Sequence, residues 1–252
     1  MNKNIEIVSL VFKSTDYLKS IVEEFLRDYS QAEGWEVGFR VIGNDATDEV
    51  VKKMNQYELE LPPNFKMDYY HNINPNKFYM KRVYDAWNYC VQSTKYDNIC
   101  LTGSDHIWSE DWLKNLLKHH DGTNIPACRL VESGKMDCGI NCINASKTFD
   151  EPLGFTPMEF DRKRWEIFTD QIREDRIEAS NPDKRAGYMP VVFETKRFLE
   201  AGGYQSERYS ISNPYFMPDV ELFKKLELEY KMRHVNVFDS LVYHIQEGEK
   251  DE

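Results

Sequence analysis

Across residues 5–120 the chain switches repeatedly between two hydrophobic periods, and few architectures accept that pattern. Ile5–Phe12 (IEIVSLVF) is a short β-branched run, the mark of a buried strand. Behind it Leu18, Ile21, Val22, Phe25, Leu26 and Tyr29 recur at helical spacing, with Asp16 as the candidate N-cap and Gly34 as the terminator. Val37–Ile42 is a second strand, and the polar turn Asn44-Asp45-Ala46-Thr47-Asp48 opens a helix that runs to Tyr57. Pro62-Pro63 breaks the chain before a weaker strand, Lys66–His71. Met80, Val83, Tyr84, Trp87 and Val91 mark another helix face, Asn98–Thr102 a fourth strand, and Asp111–His120 a further helix. Strand alternating with helix implies βαβ crossovers and a mostly parallel sheet. Ligands of such sheets bind beyond the carboxyl ends of the strands. Thr15, Asn44 and Asp105 follow the first, second and fourth strands, so one edge could gather them.

The second half is less regular. Pro126–Val131 and Gly139–Ile143 are candidate strands, and Arg164–Arg173 is a helical patch in a charged, Pro-interrupted stretch, 150–186. GYMPVVFETKRFLEAGGY (187–204) reads as strand, helix and Gly-Gly turn. PDVELFKKLELEY (218–230) is an amphipathic helix, and Arg233–His244 reads as a strand pair. No repeat or linker divides the 252 residues, which favours one domain.

Composition removes several classes of function. Forty-three acidic residues against 32 basic ones give a net charge of −11, which argues against a nucleic-acid partner or an anionic membrane. No apolar run approaches the ~20 residues of a transmembrane segment, and the start lacks a secretory signal. Five cysteines without such a signal point to reduced thiols and a cytoplasmic location. Cys138-x3-Cys142 lacks a second Cys/His pair at zinc-site spacing, which leaves it a weak metal motif.

Seven segments carry a more specific signal: VSLVFKSTD (8–16), VIGNDATDE (41–49), KRVYDAWNYCV (81–91), ICLTGSDH (99–106), AGGY (201–204), MPDVELF (217–223) and VYHI (242–245). In order and content they resemble a GT-A-fold glycosyltransferase, and within that fold glycosyltransferase family 2. The resemblance implies a single-domain α/β fold with a Rossmann-like, mostly parallel central sheet flanked by helices. Residues 1–120 would form the nucleotide-sugar-binding half, and 121–252 the acceptor-binding and catalytic half. The donor, a nucleotide-diphosphate sugar, would meet Phe12, Thr15, Asn44, Asp45, Arg82, Ser104 and Asp105. Asp105 and His244 would hold Mn2+ or Mg2+. Asp219 would be the catalytic base, with Glu221 as its neighbour in reserve. The acceptor would be a glycan, lipid-linked or protein hydroxyl.

The chemistry needs these residue types. A departing diphosphate develops charge that a divalent cation offsets as a Lewis acid, and hard oxygens plus one imidazole suit such a cation. A hydroxyl is a poor nucleophile near neutrality, so a carboxylate must take its proton as the bond forms. One in-line displacement inverts the sugar carbon.

Each residue also has a plainer reading. Asp105 and Asp219 could cap helices, and His244 could be a satisfied core histidine. His106 reads as a residue of the loop surface, Arg82 equally as a solvated helix face, and Trp108 and Trp112 as packing beneath the loop. Gly202-Gly203 could end a helix in a left-handed turn or let a sugar approach. The chain also departs from the pattern. Gly43 stands where an acid is usual, Gly103-Ser104-Asp105 keeps only the last acid of an Asp-x-Asp motif, and Pro218 replaces a common Glu. These departures motivate an alternative: a non-catalytic sugar-nucleotide-binding or scaffolding protein with a degenerate GT-A site. A nucleotidyltransferase is disfavoured because FKSTD lacks a Gly-rich phosphate loop.

Overall fold

The computed structural model describes residues 2–28, 32–72, 79–134, 143–144, 153–179, 189–208 and 217–245. Four strands, β1 (Asn4–Val11), β2 (Glu36–Asn44), β3 (Phe65–Tyr70) and β4 (Asn98–Gly103), are linked by helices α1 (Thr15–Asp28), α2 (Asp48–Glu60) and α3 (Tyr79–Ser93). After them come β5 (His106–Trp108), α4 (Trp112–Lys118), β6 (Asn124–Glu132), β7 (Ile143–Asn144), α5 (Arg162–Ile172) and β8 (Ile177–Ala179). The chain continues with β9 (Val191–Glu194), α6 (Thr195–Glu200), α7 (Pro218–Tyr230) and β10 (Arg233–His244).

All ten strands join one sheet whose main order is β3-β2-β1-β4-β9-β6-β10-β5. β1 lies parallel between β2 and β4, because each crossover helix returns the chain to the same starting edge. β9 then enters antiparallel to both β4 and β6, and β10 resumes the original direction beside β6. The carboxyl ends of β1, β2, β3, β4, β6 and β10 therefore share one edge.

Both faces of β1 are covered, which explains its near-continuous apolar sequence. Ile5, Ile7 and Val11 pack with α1, α2 and α4, while Val8 and Leu10 pack with α3, α6 and α7. Glu6 interrupts the run but is buried against Arg40 at 2.8 Å. Arg40 also donates to the Cys90 carbonyl and the Ser93 hydroxyl. Removing one partner would strand a buried charge, a cost of about 3–5 kcal/mol.

Several local expectations are corrected. Ser14, not Asp16, caps α1: its hydroxyl accepts the Tyr17 N–H at 3.4 Å, and Asp16 is exposed. Arg233–His244 is one strand, bulged between Val237 and Leu241, rather than a pair. The bulge lets its two halves pair continuously with β6 despite the extra residues. Asp111 is left-handed (φ 58°) and precedes α4 rather than belonging to it. Of the second-half candidates, residues 135–142, Cys138 and Cys142 among them, lie outside the described residues, as do 180–188 and the tail from 246. Among the described residues no helix is long and apolar enough to cross a membrane.

Candidate metal and donor site

The turn after β4 is built to present a carboxylate. Gly103 ends the strand, and a Cβ there would run into the Asp105 carboxyl group. Any other residue would displace that group. Ser104 is buried in the turn. His106 then opens β5, which pairs antiparallel with the end of β10 and sets His106 opposite His244. The loop surface expected for His106 is therefore wrong; a strand of three residues is too short to show a period. Trp108 and Trp112 stack beneath the turn with centroids 4.3 Å apart, both fully buried. Truncating either would cost about 3–5 kcal/mol. The Trp108 N–H donates to Glu24 at 3.0 Å, and its carbonyl accepts from Arg27, Arg162 and Trp165 at 2.9, 3.0 and 3.1 Å. The segment is thus held on both sides of its backbone.

At the edge, His244 lies between two carboxylates. Its Nε2 is 3.0 Å from Asp105 Oδ2, and its Nδ1 is 2.8 Å from Glu132 Oε2, at the end of β6. The backbone is fastened alongside: Ile245 N–H donates to the Asp105 carbonyl (3.1 Å) and Ser133 N–H to the His244 carbonyl (3.0 Å). Burial alone would depress the His244 pKa, but the Asp105 charge and the hydrogen bonds to Asp105 and Glu132 outweigh it and push it up to about 10. Asp105 is the mirror case. Burial would raise its pKa, yet the charge and hydrogen bond of His244 hold it well below the usual carboxylate range.

Asp105, His106 and His244 each offer a ligand atom within 4.8 Å of the others. His106 is the weakest of the three. Its Nδ1 accepts the Gly103 N–H at 3.1 Å, so the neutral ring keeps its proton on Nε2, the nitrogen 3.9 Å from Asp105. Burial pushes its pKa down to about 3, so the ring is neutral. A metal on Nε2 would force the proton onto Nδ1, against the Gly103 N–H. Asp105 and His244 do fit a divalent cation. Their facing atoms are 3.0 Å apart, close to the ~3.0 Å between neighbouring ligands of an octahedral ion with bonds of about 2.1 Å.

A second group forms beyond β2 and β3. Asp45, left-handed at φ 51°, accepts from the Asn72 backbone N–H and side-chain amide, both at 2.8 Å. The same amide donates to Asn44 Oδ1 at 3.2 Å. Arg82 reaches Asp45 at 3.8 Å and sits 5.8 Å above the Phe12 ring. At Gly43 a Cβ would meet Ala46, Tyr69 and Met54 at 3.0–3.2 Å, so an acid there would require these neighbours to give way. Phe12, Asn44, Asp45 and Arg82 are therefore brought together, with Asn72 as the member that sequence reasoning missed. Thr15 opens α1 and is half-buried.

Asp219 lies in the first turn of α7, where its carboxyl takes the Val220 N–H at 2.9 Å and the Tyr84 hydroxyl. Burial raises its pKa against both bonds. It has no hydrogen bond to Asp105 or His244 among the described contacts. The Gly202-Gly203 turn has a structural explanation. Both residues have positive φ (89° and 64°), and a Cβ on Gly203 would collide with Asn88, whose side chain bonds both backbone groups of Tyr204.

A second carboxylate–imidazole cluster, His119, Asp175 and Asp239, meets the same 4.8 Å spacing. His119 Nε2 and Asp239 Oδ1 are buried without a hydrogen-bond partner. Lys118 lies among these groups, 2.5 Å from Asp175 and 4.0 Å from Asp239.

No family model matches the chain, and no curated protein matches it by sequence. Solved structures do match its fold. GalNAc-T7, crystallised with UDP, GalNAc and Mn2+, aligns with a TM-score of 0.60 at 12% identity over 96% of this chain and 44% of its own. TarS of S. aureus (residues 1–349) aligns at 0.56 and 12% identity, over 97% of this chain and 60% of its own. The mannosyltransferase PcManGT from Pyrobaculum calidifontis, in complex with GDP-Man and Mn2+, gives 0.57 and 12%, over 97% and 57%. The chain therefore has the GT-A glycosyltransferase fold, and it spans about half the length of these structures.

Proposed function

We propose that the chain is a metal-dependent, inverting glycosyltransferase related to family 2, moving a hexose from a nucleoside-diphosphate sugar to a glycan, lipid-linked or protein hydroxyl. The observation that carries this reading is the Asp105–His244 pair at the carboxyl edge of a GT-A sheet. It is supported by the UDP, GDP-Man and Mn2+ bound in structures of the same fold. Residues 1–120 would supply the donor half and 121–252 the acceptor half. The buried free thiols of Cys90, Cys100 and Cys128 suit a reducing cytoplasm.

A cation held by Asp105 and His244 would offset the charge of the departing diphosphate. Gly103 leaves the Asp105 carboxyl its place. Asp45, Asn72 and Arg82 form a pre-ordered polar wall against which a nucleoside would bind, with Phe12 beneath Arg82. Asp219 takes the acceptor proton; a carboxylate whose pKa is raised by burial is the stronger base for that step. Attack from the face opposite the leaving diphosphate gives inversion.

The test is a thermal-shift panel of UDP, GDP, CDP, ADP and dTDP, with and without Mn2+, followed by hydrolysis assays of the matching sugar donors. Stabilisation by one diphosphate only when metal is present is the expected result. No metal-dependent shift with any of them would contradict the reading. Binding with no turnover of any donor would select the non-catalytic, sugar-nucleotide-binding alternative.

A further inference from the structure

We infer that Glu132 is the positioning residue of the metal site, fixing the His244 tautomer so that Nε2 is the nitrogen offered to the cation. The inference rests on the metal-dependent reading above and adds to it a residue that the family motifs did not mark. Glu132 and His244 are register partners on adjacent parallel strands, so the sheet itself sets the two side chains together. Glu132 is 7% exposed, and its Oε2 lies 2.8 Å from His244 Nδ1. An ionised carboxylate only accepts hydrogen bonds. Nδ1 therefore carries a proton that Glu132 holds, and the proton on Nε2, which faces Asp105 at 3.0 Å, is the one a cation would replace. Partners of this kind orient ligating histidines and raise their basicity.

His106 shows what happens without such a partner. It stands across from His244, with the ring centroids 5.1 Å apart. A backbone N–H, a donor, faces its Nδ1, which leaves the proton on the nitrogen nearer Asp105. The two neighbouring imidazoles thus meet opposite groups at Nδ1, an acceptor behind His244 and a donor behind His106, and only His244 can keep a proton there while Nε2 binds a cation. Glu132 is not what holds the strand ends together. Ser133 does that, through its N–H to the His244 carbonyl and its hydroxyl to the Ile245 carbonyl at 2.9 Å. Variants at 132 should therefore keep the fold.

Glu132→Ala and Glu132→Gln, each checked by circular dichroism, are titrated with Mn2+ and followed by electron paramagnetic resonance. Long-range proton–nitrogen NMR of histidine-labelled protein with Mg2+ reads the His244 tautomer. The expected results are an affinity about 10–100-fold weaker in Glu132→Ala, with a mixed tautomer. Glu132→Gln, whose amide oxygen still accepts from Nδ1, should recover most of the affinity and the Nδ1–H signal. Parent-like Mn2+ affinity and an unchanged tautomer in Glu132→Ala would overturn the role of Glu132 while leaving the metal site standing. A parent protein that binds no Mn2+ would overturn both, and Asp105→Ala, measured alongside, tells the two failures apart.

Discussion

The Asp105–His244 and His119–Asp175–Asp239 clusters pass the same distance test, yet they differ in everything that surrounds them. In the first, the acids come from the ends of β4 and β6, the imidazole from the end of β10, and the Asp105 side chain is 16% exposed. In the second, Asp175 is 79% exposed in a loop and is already bound by the Lys118 ammonium. Donor spacing alone thus says little. A cluster becomes a site when strand ends fix its atoms, a second group orients its imidazole, and no resident ammonium already serves its acids.

The sharpest way to break the comparison is Asp105→Ala. Transfer or donor hydrolysis, measured chromatographically, should fall by on the order of 10³-fold, the worth of several kcal/mol of charge stabilisation. His244→Ala added to it should cost little more, because the two act as a unit. A loss of less than about tenfold would put the two clusters on the same footing.

Asp219→Asn separates chemistry from binding. Turnover should drop by roughly 10²–10⁴-fold, with calorimetric affinities for Mn2+ and nucleotide like those of the parent. Parallel loss of both would make Asp219 part of the donor site rather than the base.

A third difference is linkage to pH in metal-free protein. An unfolded histidine titrates near about 6.5, whereas His244 is pushed up to about 10. Its contribution to stability is complete below the unfolded value and is lost as pH rises toward the folded one. Asp105, held low, works in the other direction: its contribution is present above about 3.9 and is lost as pH falls. In EDTA the thermal midpoint of the parent should decline more steeply from neutral to alkaline pH than that of His244→Gln. Parallel curves would mean that the ion pair contributes nothing.

The smallest effect is expected at the second cluster. His119→Ala and Asp175→Ala should leave Mn2+ stoichiometry and turnover within about twofold of the parent. Loss of a bound ion from either variant would show that spacing was enough after all.

The sequence made the parallel half legible because crossover helices and doubly buried strands impose strong periods. β1 to β4 and α1 to α3 lie where those periods put them. The mixed half resisted because its pairings are nonlocal. Nothing in VVFE reveals that β9 slots antiparallel between β4 and β6, and the bulge in β10 looks like a strand break. Asp105 and His244 were visible because each ends a clear strand in a motif. Glu132 was not, since an acid at the end of RLVES has meaning only once the β6–β10 register sets it beside His244. Asn72 escaped for the same reason, as a polar residue after a weak strand that comes to matter through its bonds to Asp45.

The most direct test is an electron paramagnetic resonance titration of Mn2+ against the purified protein in the presence of the diphosphate selected by thermal shift. The account predicts one bound ion in the parent and in His119→Ala, and none in Asp105→Ala. An ion retained by Asp105→Ala, or lost in His119→Ala, would contradict it.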